Sequence, residues 1–145
     1  MRIYLQIKSW SIMEEVMVNW YAVIAATLVG FIIGFLWYGP LFGKAWMAEV
    51  GLTEEDIKKG SMAKIFGFTA VFQFIMAYCL AMFFGNEVNA QLGALYGFFA
   101  GFVWVALSIG VNALYEQRSF KYILITGGFW SVVFTFMGLI IGAWR

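Results

Sequence analysis

Four stretches of this chain contain no Asp, Glu, Lys or Arg: residues 16–43, 65–86, 88–115 and 122–144. Each exceeds the roughly 20 residues a helix needs to cross about 30 Å of hydrocarbon. A charge near the centre of a bilayer costs at least about 2.5–3.5 kcal/mol, so gaps of this length are what a membrane-crossing chain requires. Lipid admits only helices and closed barrels, because every backbone polar group must be paired within the protein. The stretches are continuously apolar rather than alternating, and too long for barrel strands of about ten residues. The expected fold is an all-α membrane protein, a four-transmembrane-helix bundle.

Composition sharpens this. Of 145 residues, 63% are hydrophobic and 12% charged, against about a quarter charged in an ordinary soluble domain. So few charges cannot cover so much apolar surface in water, which excludes a soluble enzyme core. Nine basic residues against eight acidic ones give no reason to expect nucleic acid as a partner. Histidine is absent, which removes the commonest general base and metal ligand. Cys79 is the single cysteine, so the chain has no internal disulfide and no cysteine zinc site. No metal, cofactor or enzymatic activity is expected. Ion-coupled transport generally uses an ionisable group inside the membrane, and the four stretches offer no charged one. That disfavours a proton-driven exporter despite the helix count.

The ends of the first span are marked by aromatic pairs. Trp20 and Tyr21 open it, and Trp37 and Tyr38 close it about 25 Å further on at 1.5 Å per residue. Amphipathic rings favour such belts, and Gly39 and Pro40 then stop the helix. The connection over residues 41–63 predicts a short interfacial helical segment between helices 1 and 2. Phe42, Trp46 and Met47 form its apolar side and Gly51 its stop. Thr53 predicts a cap for a second short turn, which Gly60 ends, and Ser61 a cap for span 2. The segment is either a solvated linker or a cover over a site. The other connections, near 85–91 and 116–121, are short, which predicts that successive helices are antiparallel neighbours. With no Pro- or Ser-rich linker, residues 17–145 read as one domain and 1–16 as an N-terminal tail. The tail shows no clean signal-peptide pattern. It either lies on the membrane surface or reflects an upstream start, with Met13 or Met17 as alternative starts.

Lys and Arg distribution sets the expected orientation. The first and third connections carry Lys44, Lys58, Lys59, Lys64, Arg118 and Lys121. The opposite side has Arg2, Lys8 and Arg145. The first and third connections are therefore expected in the cytoplasm, and both termini outside.

Hydrophobicity gives helices no drive to associate in lipid, so close backbone approach matters. Gly30 and Gly34, Gly93, Gly97 and Gly101, and Gly138 and Gly142 provide small-residue faces. They serve either packing within the chain or contacts in a homo-oligomer. An echo at an offset of 67 residues, Gly30-Phe31-x-x-Gly34-Phe35-x-Trp37 against Gly97-Phe98-x-x-Gly101-Phe102-x-Trp104, allows a parallel duplication.

Two sets of residues are candidates for chemistry. Thr27, Gln73, Trp104, Trp130, Ser131 and Thr135 fall near mid-membrane. They form either interhelical hydrogen bonds or a pocket for a small neutral or aromatic molecule. Asn112, Tyr115, Glu116 and Arg118, with Lys44 and Trp46, form an interfacial cluster. They either pin the ends of the spans at the headgroups or contact a substrate.

Together, Asn19-Trp20, Trp37-Tyr38-x-Pro40-Leu41-Phe42-Gly43-Lys44-x-Trp46, Leu52-Thr53-Glu54-Glu55-Asp56, Met62-x-Lys64, Asn112, Tyr115-Glu116-x-Arg118 and Trp130 resemble a bacterial membrane family, the domain of unknown function 1761. The resemblance runs from about Met17 to the C-terminus. It implies a four-span protein of the bacterial inner membrane and implies no activity. The expected role is that of a non-enzymatic structural or accessory protein, a homo-oligomer or a subunit of a larger membrane complex. The alternative is a carrier or pore for a small neutral or hydrophobic solute.

Overall fold

The computed structural model describes residues 16–144. The calls on residues 1–15 and on Arg145 lie outside them. Helix α1, Trp20–Leu36, starts where the Asn19 side chain accepts from the backbone N–H groups of Tyr21 and Ala22, at 3.0 and 3.3 Å. It runs into a wide π-type turn, Trp37–Leu41, where the Phe42 N–H reaches back five residues to the Trp37 carbonyl at 2.8 Å. Pro40 has no N–H to donate, and Gly39 leaves helical geometry with ψ of −105°. The chain then turns into α2, Gly43–Val50, which Gly51 ends in the left-handed conformation at φ 71°.

Helix α3, Glu54–Lys59, has a reciprocal cap between Thr53 and Asp56. The Thr53 hydroxyl and N–H both donate to the Asp56 carboxylate and hold its pKa below the ordinary value. Ser61 caps α4, Met62–Phe84. Asn89 caps α5, Ala90–Phe99, which passes through a second π-type stretch, Ala100–Ala106, into α6, Leu107–Tyr115. Ser119 caps α7, Phe120–Ala143.

Among the described residues, four helical segments are long and apolar enough to cross a membrane: Trp20–Leu41, Met62–Phe84, Ala90–Tyr115 and Phe120–Ala143, here spans 1 to 4. The four-helix expectation holds, as does the short helical segment between spans 1 and 2. Span 4 is the centre. Of its most apolar window 44% is buried, against 22–28% in the others. The lateral order is 2–1–4–3, with the C-terminal half of span 2 also reaching span 4. The core lies where spans 1, 2 and 4 meet, with Val23 and Ala26 against Ala77, Leu80, Ala81 and Phe84, and against Val133, Met137 and Ile141.

Neighbours in sequence are neighbours in space for spans 1 and 2 and for spans 3 and 4. Spans 2 and 3 depart from that expectation, meeting mainly through the Phe84 and Tyr96 rings, 6.1 Å apart. The reason is backbone shape. A β-carbon on Gly93 or Gly138 would collide with the carbonyl of the other. One on Gly97 would strike the Phe134 carbonyl, and one on Gly142 the Asn89 carbonyl. The glycine rows of spans 3 and 4 thus form one continuous seam of backbone contact, which only residues without a side chain permit. That seam takes span 3 away from span 2. The seven candidate packing glycines accordingly face within the chain: Gly101 lies against Trp130 and Phe134, Gly34 against the Phe129 ring, and Gly30 against Gln73.

Candidate functional site

The mid-membrane polar residues do not converge. The Thr27 hydroxyl donates to the Val23 carbonyl at 2.8 Å, Ser131 to Gly127 at 2.9 Å, and Thr135 to Ser131 at 2.6 Å. Each bond returns to the residue four positions earlier on the same helix, a usual way to satisfy a hydroxyl away from water. The expected interhelical bonds are replaced by these. Gln73 is 3% exposed, and its Oε1 has no hydrogen-bond partner among the described residues. It lies where a Gly30 side chain would otherwise be, so its nearest neighbour on span 1 is the Gly30 backbone. A Cα–H contact there is a weak substitute for an N–H or O–H donor. Trp130 packs edge-on to Phe129 and Phe134 at 5.1 and 6.2 Å. Trp104 points away from the others: it is 69% exposed on the outer face of span 3.

Some of the residues that carried the family resemblance do converge, Trp37, Tyr38, Phe42, Gly43, Trp46 and Arg118, at the end of the molecule that bears connections 1 and 3, whereas Asn19 lies at the other end and donates to the Trp144 carbonyl at 3.0 Å. The π-type turn aims the Trp37 indole at span 4, where its N–H donates to the Ile125 carbonyl at 3.0 Å. The Tyr38 ring stands between Phe129 at 4.9 Å and Trp46 at 5.3 Å. The Tyr38 carbonyl occupies the space that a side chain at Gly43 would fill. Helix α2 is thereby folded back onto the start of α7.

Its far end is held by a residue that sequence reading passed over. One oxygen of Glu49 accepts from the Ser119 hydroxyl, and the other lies 3.7 Å from the Lys121 ammonium. Arg118 donates to the Glu49 carbonyl at 3.4 Å. Ser119 also accepts from the Tyr122 N–H at 3.1 Å as the cap of α7, so the carboxylate meets the positive end of a helix. Arg118 lies 3.6 Å from Glu116 and over the Tyr122 ring at 5.6 Å. A signal for Glu49 existed: it sits three residues after Trp46, on the same helical face.

The candidate cluster is only partly assembled. Trp46 and Arg118 belong to this corner, with Glu116 beside Arg118. Lys44, Asn112 and Tyr115 are exposed, Tyr115 to 87%. Asn112 and Tyr115 lie instead on the outer face of span 3, below Trp104. No group of three or more Cys, Asp or Glu able to hold a metal occurs among the described residues.

The sequence echo has a partial counterpart. Trp37 begins one π-type stretch and Trp104 lies in the other. Their side chains part company, since Trp37 turns inward to Ile125 and Trp104 outward.

A family model described as "Protein of unknown function (DUF1761)" matches residues 21–142. No curated protein matches. No solved structure matches either.

Proposed function

The chain belongs to this family of unknown function, and from that premise we propose that it is a non-enzymatic accessory protein of the bacterial inner membrane, a subunit of a larger complex. The observation that carries the reading is how the polar side chains are engaged. The hydroxyls of Thr27, Ser131 and Thr135 are tied to their own helices. Trp37, Glu49, Arg118 and Ser119 are tied to one another's segments. Such a body offers shape and surface rather than a poised nucleophile or base. By the excess of Lys and Arg, the end carrying α2 faces the cytoplasm, and a C-terminal alkaline phosphatase fusion is active.

The test is extraction in native-lipid particles from the source membrane. A second integral membrane protein is expected to co-purify in fixed ratio, and vesicles holding the purified chain alone are expected to retain small neutral solutes. Repeated isolation without a partner overturns the reading.

One observation favours a second reading, a carrier or pore for a small neutral or hydrophobic solute. The Gln73 oxygen, near mid-membrane, is an acceptor without a donor among the described residues. Solute flux through reconstituted vesicles that Gln73→Leu abolishes, with the fold intact, would select it.

A further inference from the structure

Helix α2 is seated firmly at its start and only tied at its end. At the start, the Phe42 N–H meets the Trp37 carbonyl, and Gly43 is buried against the Tyr38 carbonyl. Within the turn that leads there, Gly39 lies outside helical geometry, and a β-carbon on it would meet nothing within 4 Å. At the end, Gly51 is left-handed with equally open space around it, and residues 51–56 are exposed. The chain that follows α2 therefore does not press it down. Gly43 is the one buried residue of α2 itself. Its far end is held by the Trp46 ring on Tyr38 and by the contacts of Ser119, Lys121 and Arg118 with Glu49.

A polar group is left unpaired beside this contact. Thr27, Ser108, Ser131 and Thr135 each turn their hydroxyl back to the carbonyl four residues earlier. Thr126 does not. Its Oγ1 is enclosed and has no hydrogen-bond partner among the described residues. The Tyr38 phenol stands next to it, outside hydrogen-bond geometry, and the Tyr38 ring is the one that Trp46 of α2 lies against. Thr126 is about 9 Å into α7 at 1.5 Å per residue, so water is close by at the headgroups. Enclosing a hydroxyl without a partner costs an amount of the same order as a charge-assisted bond such as that from Ser119 to Glu49 contributes. The closed arrangement thus sets two effects of similar size against each other, which is the condition for two populated states. We propose that α2 is a hinged flap. It pivots on the π-type turn at Gly39, and Glu49 is its latch. Opening lifts Trp46 from Tyr38 and admits water, or another small hydrogen-bonding molecule, to the Thr126 hydroxyl. The flap goes beyond the accessory reading and does not depend on it.

The experiment is labelling of Thr126→Cys with a small neutral maleimide, on the full chain in lipid vesicles. Cys79 is exposed and is first replaced, as Cys79→Ser. A thiol reacts as its thiolate, which needs water, so the rate reports opening. Leu124→Cys, two residues away and 73% exposed, is the control. Glu49→Ala is expected to raise the Thr126→Cys rate about 5- to 30-fold and to leave the Leu124→Cys rate unchanged. No rise at Thr126→Cys, or an equal rise at both positions, overturns the flap. Raising salt from about 0.1 M to 1 M shortens the screening length from about 10 Å to 3 Å. Labelling of Thr126→Cys should then rise while Glu49 is in place and stay level after Glu49→Ala. A salt response that is the same with and without Glu49 overturns the latch. Thr126→Val keeps the branched shape and removes the unpaired hydroxyl. The amides of Gly43–Val50 are then expected to exchange hydrogen more slowly, by about 5-fold or more. Unchanged or faster exchange would show that the hydroxyl does not strain the closed state, and overturns the proposal.

Discussion

At the scale of single residues, the same change has different costs at different glycines. Gly138→Ala drives a β-carbon into the Gly93 carbonyl, and both are backbone within one seam. Neither helix can yield without moving bodily, so the expected loss is about 1–3 kcal/mol, typical of overpacking. Gly30→Ala meets only the tip of the Gln73 side chain, which rotates away, and the expected loss is under about 1 kcal/mol. Denaturant titration in mixed micelles separates the two, and equal losses would contradict the seam. Gln73→Leu goes in the other direction. It removes a buried acceptor without a donor among the described residues, and stability is expected to rise by about 1 kcal/mol, read by the same titration. The sequence makes glycine spacing and a mid-depth glutamine plain. It does not show that Gln73 meets Gly30 instead of a donor, because that depends on the rotation of two helices about their axes. The outward direction of Trp104 is hidden in the sequence for the same reason: depth follows from counting, direction does not.

Elements bring in contacts that no periodicity reports. The proline stop and the Gly51 terminus of α2 are legible, since each acts within a few residues, whereas Trp37 and Tyr38, read as a belt, pack inward against span 4. The docking of α2 was not, because Glu49 meets residues about seventy positions away. A single carboxylate in a short amphipathic helix otherwise reads as solvated. Its pair with Lys121, whose side chain is 60% exposed, contributes little by itself. The bond from Ser119 carries more, being charge-assisted and set at a helix start. Glu49→Ala is therefore expected to loosen α2 by about 1–2 kcal/mol, a factor of about 5–30 in local opening. Hydrogen exchange by mass spectrometry checks it: amides of Gly43–Val50 exchange faster, while those of Trp20–Leu36 keep their protection. Uniform acceleration of both would show that the corner supports the whole fold instead of one element.

For the whole molecule, the order 2–1–4–3 changes what the connections are for. A bundle in which every successive pair packs together needs each turn short. Here spans 2 and 3 are held apart by span 3's attachment to span 4, so the 85–89 connection joins helices that hardly meet. Asn86 accepts from the Met17 N–H at 3.1 Å and Val88 is buried in the core, and an insertion between them that leaves each in place should cost little, because doubling a flexible loop costs only about 0.6 kcal/mol in closure entropy. The 116–119 turn is different. The Arg118 N–H returns to the Ala113 carbonyl at 2.8 Å, Gln117 sits at a φ of 58°, and Arg118 and Ser119 hold Glu49. Six Gly and Ser residues inserted between Asn86 and Glu87 should leave the unfolding midpoint almost unchanged. The same insertion between Gln117 and Arg118 should lower it and expose α2 to protease. Equal damage from both insertions would mean that spans 2 and 3 depend on each other, and that the central role assigned to span 4 is wrong. If only the second insertion is disruptive, two glycine rows about forty-five residues apart, and not the short turns between helices, decide which spans become neighbours.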